Sequence, residues 1–179
     1  MSDQPFPESL CHLCAAPPKY VRTARSTFIM CPLLAAKYPR QPVLACALFR
    51  PAIVTTERLI LREATPDDDV AIPRLWVAIA RATGERIGQI GPLSQLVDGV
   101  EELEVSYHVD EPHRHRGLAR EGAAAVRDWA FARGHDHVIA LIRDDNLASQ
   151  AVARALGMIP GHHAMHAGRE HVVWRVDRR

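Results

Sequence analysis

The spacing of apolar residues changes from every second to every third or fourth residue near one glycine, and this change constrains the fold most strongly. In the stretch EELEVSYHV, polar and apolar residues alternate from Glu102 to Val109, which predicts a strand with one buried face. Beyond Gly117, apolar residues recur at three- and four-residue steps as far as Trp129, which predicts a helix. The chain therefore contains a strand that leads into a helix.

The same patterns predict the elements on either side of this junction. TERLILREA predicts a strand, and two apolar runs around ATGER predict a hairpin before EELEVSYHV. After the helix, HVIALI predicts a buried strand, DDNLASQAVARALG a second helix, and the C-terminal segment two strands joined around AGRE. The resulting order of β, β-β-β, α, β, α, β-β predicts an α+β fold in which helices pack on a curved mixed sheet.

Composition indicates two modules that meet near Ala52. All four cysteines and eight of the thirteen prolines precede this residue, whereas all ten glycines follow it. Residues 1–52 hold six basic and two acidic side chains, and residues 53–179 hold sixteen basic and nineteen acidic ones. We therefore predict a small basic Cys-rich, Pro-rich module over 1–52 and the main domain over 53–179, while the net charge of +1 indicates no particular partner.

Four cysteines suggest a metal site in the first module. Cys11 and Cys14 form a C-x2-C pair, and Cys31 and Cys46 could complete a tetrahedral zinc site, with His12 able to replace one of them. A zinc ion would stabilise a segment that has few long apolar side chains. The same cysteines could instead be reduced, partly buried thiols, or could form a disulfide or an iron-sulfur site.

The partners and location are less constrained. No apolar run reaches the roughly 18 to 20 residues that would span a bilayer, and the first residues lack a secretory signal pattern, so we expect a cytoplasmic protein. Lys19, Arg22 and Arg25 lie beside Tyr20 in PPKYVRTAR and could contact nucleic acid or an acidic partner. We expect this segment to be a solvated basic loop.

The strand-to-helix stretch PHRHRGLAREG predicts an anion-binding turn. The backbone N-H groups from Arg116 to Ala119 have no partner at a helix start, and the helix dipole also favours negative charge there. Gly117 and Ala119 leave room for a phosphate to approach the backbone, and Arg114 and Arg120 could add charge at the rim. The two histidines of the stretch are expected at its rim rather than as metal ligands.

From about Val54 to Val176 the sequence resembles GNAT acetyltransferases, most closely the branch that contains the ribosomal-protein N-terminal alanine acetyltransferases. The matching features occur in order: TERLILREATPDD, ELEVSYHV, RHRGLA, an N-x-x-S pattern and LGM. The resemblance implies acetyl-CoA as cosubstrate, with its pyrophosphate on the turn amides and its pantetheine arm beside His108 and Val109. The cofactor-binding residues that it implies are Val109, Arg114, His115, Arg116, Gly117, Leu118, Ala119, Asn146 and Ser149.

The resemblance also suggests which side chains carry the chemistry. Acetyl transfer to an amine needs an unprotonated amine and a proton for the departing thiolate. Glu104 matches a commonly acidic position and is the candidate base, directly or through water, with His108 second and Ser149 as the candidate acid. Alternatively, Glu104 and His108 only face solvent and Ser149 lies on a helix surface. The tyrosine that many GNAT enzymes place on this helix is absent, because Val152 and Ala153 occupy that region.

One segment departs from the family pattern. Only a few residues separate Asp69 from Leu75, where GNAT enzymes have two helices that form part of the acceptor groove. The acceptor side is therefore expected to be shortened, or completed by the Cys-rich module or by a second subunit of a homodimer.

Two functions follow from these observations. The first is an acetyl-CoA-dependent N-acetyltransferase, in which a primary amine of a peptide N-terminus or a small molecule attacks directly in a ternary complex. The second is a non-catalytic acyl-CoA-binding protein, or a zinc-bearing interaction or nucleic-acid-binding protein, built on a GNAT remnant.

Overall fold

The computed structural model describes residues 14, 19–23, 27–31 and 52–179. A β-hairpin lies in the first fifty residues, and one sheet with two α-helices forms residues 52–179. The strands are β1 (Lys19–Arg22), β2 (Thr27–Met30), β3 (Val54–Thr55), β4 (Leu59–Arg62), β5 (Val77–Ala80), β6 (Arg86–Val97), β7 (Val100–Val109), β8 (His137–Ile142), β9 (Ile159–His166) and β10 (Arg169–Asp177). The helices are α1 (Leu118–Ala132) and α2 (Leu147–Ala155), with a 3-10 turn at Glu111–His113.

Within residues 52–179 the sheet is mixed and its strand order is β3-β4-β5-β6-β7-β8-β10-β9. Only β7 and β8 run parallel in this part of the chain, and α1 connects them. They share one ladder position, where Glu104 lies opposite Ile139, and beyond it the two strands diverge. The predicted α+β fold with a mixed sheet is confirmed.

Both helices pack on the same face of the sheet. The core on this face contains Leu59 and Ile90 from the strands and Val126 from α1. The ring centroids of Trp76 and Trp129 lie 4.8 Å apart in an edge-to-face contact. Gly122 allows the close approach, because a Cβ at this position would lie only 2.7 Å from Ile90 Cδ1 and this side chain would have to shift. The helix therefore packs closely against the strands that lead to the predicted turn.

The opposite face is covered without a helix between β4 and β5. Residues 63–76 are irregular, and Ala64 and Val70 from this connection pack on the buried Ile60 and Val77. The side chain of Gln89 anchors the connection further along: its Oε1 accepts from the Ile72 N-H (2.9 Å) and its Nε2 donates to the Ile72 carbonyl (2.8 Å). The predicted absence of the two acceptor-side helices is confirmed, and the connection that replaces them is anchored by side chains.

The first module departs from one prediction. Lys19–Arg22 was expected in a loop but forms β1, which pairs antiparallel with Thr27–Met30 so that Val21 lies opposite Phe28. Each segment contains an aromatic residue next to a β-branched one, Tyr20–Val21 and Phe28–Ile29, and this composition favours strands over a solvated loop. The proposed boundary at Ala52 stays a prediction, because most residues before it lie outside the described ranges.

Candidate active site

The turn before α1 has an unusual backbone. Gly117 is the N-cap of α1 and adopts a left-handed conformation (φ 76°, ψ 5°), and His115 also has positive φ (60°). For a residue with a Cβ the left-handed conformation costs roughly 1 to 2 kcal/mol, so a glycine is favoured at the cap. Among the described residues no side chain caps the helix here, so its first N-H groups remain available.

These N-H groups lie next to one another at the start of α1. Within the described part of the chain, no acceptor contacts the backbone N-H groups from Arg116 to Ala119, and the N-H of Glu121 is the first to bond back, to the Gly117 carbonyl (3.0 Å). Successive unpaired donors at a helix start, together with the helix dipole, stabilise negative charge. The local geometry that the sequence predicted for this turn is therefore present.

A cleft of about 650 Å³ opens from this turn towards α2, where β7 and β8 have diverged. Its lining residues are Tyr107, His108, Val109, His113, Arg114, His115, Gly117, Leu118, Ala119, Arg120, Asn146, Ala148, Ser149, Ala151 and Val152. Every predicted cofactor-binding residue lines it except Arg116, whose carbonyl oxygen instead accepts from Arg58 Nη1 (2.8 Å). Arg114 is held at the cleft because its Nε donates to the Val109 carbonyl (2.9 Å).

The far end of the cleft is formed by the first turn of α2. The Asn146 side chain caps this helix by accepting from the Ser149 N-H (3.1 Å). The hydroxyl of Tyr107 donates to the Ser149 carbonyl (3.0 Å), so β7 and α2 are joined where the strands diverge. Burial raises the pKa of Tyr107 to about 12, and the phenol stays protonated at neutral pH. Sequence reasoning assigned Tyr107 to the core face of β7 and missed this contact, which joins residues far apart in the chain.

We expect Tyr107→Phe to loosen the cleft without unfolding the protein. The ring remains, and the loss of one hydrogen bond is expected to reduce the free energy of unfolding by about 1 kcal/mol. Amide hydrogen exchange should rise in the first turn of α2, at Leu147 to Gln150, and stay unchanged in the middle of α1. Equal protection of Leu147 to Gln150 in the two proteins would contradict this role.

Glu104 lies apart from the cleft. Its side chain points to the face opposite the helices and is 8% exposed, so the alternative that it simply faces solvent does not hold. Gln95 Nε2 donates to its Oε2 (2.8 Å), and the Leu141 N-H, beside the point where β8 leaves β7, lies 3.5 Å from its Oε1. Burial raises the pKa of Glu104 above its usual range. His108, on the same face of β7, is exposed and lines the cleft.

The remaining histidines and cysteines do not form a recognisable metal centre in the described ranges. His162 and His163 each pair with an exposed carboxylate, of Asp98 and Asp144 respectively. Among the residues that the structure describes, no three His, Cys, Asp or Glu side chains are placed to hold a metal ion. Of the predicted zinc ligands Cys11, Cys14, Cys31 and Cys46, only Cys14 and Cys31 are described, as free thiols, so the zinc site stays a prediction.

Comparison with known sequences identifies the family. Residues 64–159, more than half of the chain, match the acetyltransferase (GNAT) domain family. The chain is also 36% identical over 85 residues to the uncharacterized protein YkkB of Bacillus subtilis. This alignment covers 47% of the chain and 49% of YkkB, so the chain matches about half the length of that curated relative.

Solved structures share the fold. An acetyltransferase from Agrobacterium tumefaciens is 26% identical, with a TM-score of 0.61 over 75% of this chain and 98% of its own. A GNAT-family acetyltransferase from Bacillus anthracis gives a TM-score of 0.57 at 16% identity, over 69% and 97% of the two chains. The ribosomal-protein-S5-alanine acetyltransferase of Vibrio fischeri gives 0.50 at 19% identity, over 57% and 60%. The last two likenesses concern the fold alone.

The fold and the cleft together define an α+β domain in which backbone N-H groups at a helix start lie beside a pair of diverging strands. The chain belongs to the GNAT acetyltransferase family. Within the described residues, no helix is long and apolar enough to cross a membrane.

Proposed function

We propose that this protein is an acetyl-CoA-dependent N-acetyltransferase that acts on a primary amine. The observation that carries this proposal is the cleft of about 650 Å³ that joins the unpaired N-H groups at Gly117 to the opening between β7 and β8. A GNAT domain with such a cleft can hold a long ligand that has negative charge at one end. Acetyl-CoA has this form and supplies an activated acetyl group as a thioester.

The cleft residues have separate tasks in this proposal. The turn amides and Arg114 hold the pyrophosphate, because charged acceptors gain most from preorganised N-H donors. His108 and Val109 lie along the pantetheine arm. Ser149, at the far end of the cleft, donates a hydrogen bond or a proton to the departing thiolate. Asn146 orients this part of the cleft by capping α2.

Deprotonation of the amine favours an α-amino acceptor over lysine. At pH 7 the cost is about 1 kcal/mol for an α-amine with a pKa near 8, and about 4 to 5 kcal/mol for a lysine with a pKa near 10.4. Glu104 is the proposed base because its carboxylate is partly desolvated and lies at the base of the diverging strands. It does not line the cleft, so a water molecule would carry the proton to it, with His108 as the second candidate.

We expect Glu104→Gln to lower kcat at least about a hundredfold, the usual scale for loss of a general base, while the KM for acetyl-CoA stays within about threefold. The wild-type rate should rise with pH as Glu104 loses its proton, and the variant should lack this rise. A kcat-pH profile of both proteins measures this, and an unchanged kcat would remove Glu104 from the mechanism.

The free energy of unfolding of the wild type should fall as pH rises, whereas kcat should rise. The folded-state pKa of Glu104 is raised above its unfolded value, so ionisation penalises the folded wild type as pH increases through this range. Because a glutamine side chain does not titrate, the Glu104→Gln variant is expected to gain stability relative to the wild type as pH rises above the unfolded-state pKa of glutamate, about 4. Urea unfolding at several pH values tests this. A relative loss of stability with rising pH would show that the carboxylate is a structural anchor.

Two measurements test the proposed function. Acetyl-CoA should raise the thermal unfolding midpoint, since it binds only the native state, and an amine panel should cause amine-dependent release of free CoA. Absence of any thermal shift would contradict the proposal. The panel should pair peptides with a free α-amine against the same peptides acetylated at the N-terminus, because only the former can react.

An alternative is an acyl-CoA-binding protein without turnover. The helix-free connection 63–76 favours it, since the acceptor side has fewer walls than the family pattern. A thermal shift with acetyl-CoA, but no CoA release above the amine-free rate, would support this alternative.

The N-acetyltransferase proposal has four further parts. The acceptor is a peptide N-terminus or a small amine, and the cysteines hold structural zinc. A homodimer completes the acceptor side, and the protein is located in the cytoplasm.

A further inference from the structure

We propose that Arg58 is a positioning residue that fixes the direction of the Gly117 N-H in the anion-binding turn. Arg58 lies between β3 and β4 and is far from the turn in sequence. The inference concerns the cofactor end of the cleft and rests on the proposed CoA-binding function for its ligand.

Arg58 is held by a specific set of bonds to the beginning of α1. Its Nε donates to Glu121 Oε2 (2.6 Å), and its backbone N-H donates to Glu121 Oε1 (2.8 Å). Thr56 Oγ1 also donates to Glu121 Oε1 (2.5 Å). Partial burial raises the pKa of Glu121, but hydrogen bonds from Thr56 and Arg58 lower it overall, so the carboxylate is ionised at neutral pH. The guanidinium orientation is therefore defined by an acidic side chain of α1.

The remaining guanidinium nitrogens face the turn. Nη1 donates to the Arg116 carbonyl (2.8 Å). Nη2 lies 3.5 Å from the position that a Cβ on Gly117 would take, and it bonds to no partner in the described part of the chain. The guanidinium thus lies against the peptide unit that joins Arg116 to Gly117.

This contact determines where the Gly117 N-H points. In a trans peptide the C=O and the N-H lie in one plane and point in opposite directions. A carbonyl held on the Arg58 side therefore directs the Gly117 N-H to the other side, where Gly117 lines the cleft. Glycine imposes little resistance to rotation of this peptide. Without Arg58 the carbonyl oxygen can turn towards a bound pyrophosphate, replacing a donor with a repulsive acceptor.

General stability does not explain the arrangement. The Arg58 side chain is 47% exposed and its partner Glu121 17% exposed, and a guanidinium that is half in water contributes little to folding through such a pair. Arg81 provides a matched comparison, because its Nη1 also donates to backbone carbonyls, those of Thr56 and Glu57 between β3 and β4, but makes no bond to α1. Both residues place one positive charge beside the loop between β3 and β4. Of the two, Arg58 alone donates to the Arg116 carbonyl.

The test compares CoA binding by titration calorimetry in Arg58→Gln, Arg58→Lys and Arg81→Gln. Loss of one hydrogen bond to a charged group predicts about tenfold weaker binding for Arg58→Gln. Arg58→Lys should weaken binding by a similar factor, since lysine keeps the charge but not the planar fork, and Arg81→Gln should change it less than about twofold. Equal weakening in Arg58→Gln and Arg81→Gln would show that Arg58 acts only through its positive charge and would contradict a positioning role. Unchanged binding in Arg58→Gln would overturn the proposal.

A ligand-free measurement separates this proposal from the proposed function. In the protein without CoA, the amide resonance of Gly117 should shift or broaden in both Arg58 variants and stay at its wild-type position in Arg81→Gln. If the wild type binds no CoA, the proposed function fails, while the Gly117 resonance still tests Arg58. An unmoved Gly117 resonance in Arg58→Gln would show that Arg58 does not fix this peptide.

Discussion

Gly117→Leu is expected to reduce acetyl-CoA affinity at least a hundredfold, which corresponds to about 2.7 kcal/mol of binding free energy. A Cβ at this position would lie 3.5 Å from Arg58 Nη2, at ordinary contact distance, so the protein itself can accommodate the start of a side chain. The rest of the leucine would extend from this Cβ against the Arg58 guanidinium and, together with the strain of a side chain at φ 76°, would displace the Arg116–Gly117 peptide whose N-H is proposed to hold the anion. Isothermal titration of acetyl-CoA measures the loss.

The control has to reproduce the backbone strain at a position away from the turn before α1. Gly99 has a similar φ (83°) in the hairpin between β6 and β7, and a Cβ there would meet no atom of the described residues within 4 Å. Gly99→Leu should therefore lose stability comparably, by roughly 1 to 2 kcal/mol, and keep its affinity for acetyl-CoA. Equal loss of affinity in the two variants would assign the effect to strain rather than to the turn.

The histidine beside the glycine gives a second comparison. His115 lines the cleft but has an exposed side chain, and the proposed anion contacts come from backbone N-H groups. His115→Ala should therefore weaken acetyl-CoA binding by less than about threefold, well below the effect at Gly117. Equal losses at the two positions would show that the imidazole, and not the exposed backbone, holds the ligand.

The backbone geometry of the turn before α1 could be predicted from sequence because its determinants are local. A strand alternation, a glycine and a helical repeat follow one another within about thirty residues, and each has a direct conformational meaning. The first turn of α2 was predictable for the same reason, because the Asn146 side chain caps this helix by accepting from the N-H of Ser149, three residues later. The mixed sheet then follows from the order of the elements.

The side-chain contacts that hold the site in place were not predictable, because they join segments that are distant in the sequence. Arg58 and Glu121 are 63 residues apart, and Tyr107 reaches the Ser149 carbonyl across 42 residues. Glu104 lies on the polar face of an alternating strand, where a single sequence predicts exposure. Gln95 and Leu141 bring groups from β6 and β8 to its carboxylate, and the side chain is buried. Alternation identifies a face of a strand but not what covers it.

Asp68→Asn is expected to cause the largest loss of stability, about 3 kcal/mol at neutral pH. Both Asp68 oxygens accept from Arg62, at 2.7 Å each, and the two side chains are only 7% and 10% exposed. The neutral amide leaves the Arg62 guanidinium buried without a compensating charge. It also weakens the bonds that Asp68 accepts from the Thr65 N-H and hydroxyl, which fix the connection between β4 and β5.

The pH dependence identifies the charge as the cause. Hydrogen bonds from Arg62, followed by those from Thr65, hold the pKa of Asp68 well below its usual range in the folded state. A depressed folded-state pKa stabilises the protein above the unfolded value, near 4, and this stabilisation is lost as pH falls below it. The wild type and Asp68→Asn should therefore differ most between about pH 5 and pH 8 and converge on acidification. Urea unfolding across this range measures the difference.

Asp177→Asn is the matched control for this prediction. Asp177 accepts from Arg175 at 2.6 Å, and this bond likewise lowers its pKa, but both side chains are exposed. Removal of its charge should leave the unfolding midpoint unchanged, because water replaces an exposed partner. If Asp68→Asn also left the unfolding midpoint unchanged, the connection 63–76 would not depend on its buried ion pair. The connection would then be held against the sheet by Gln89 and by the apolar contacts of Val70.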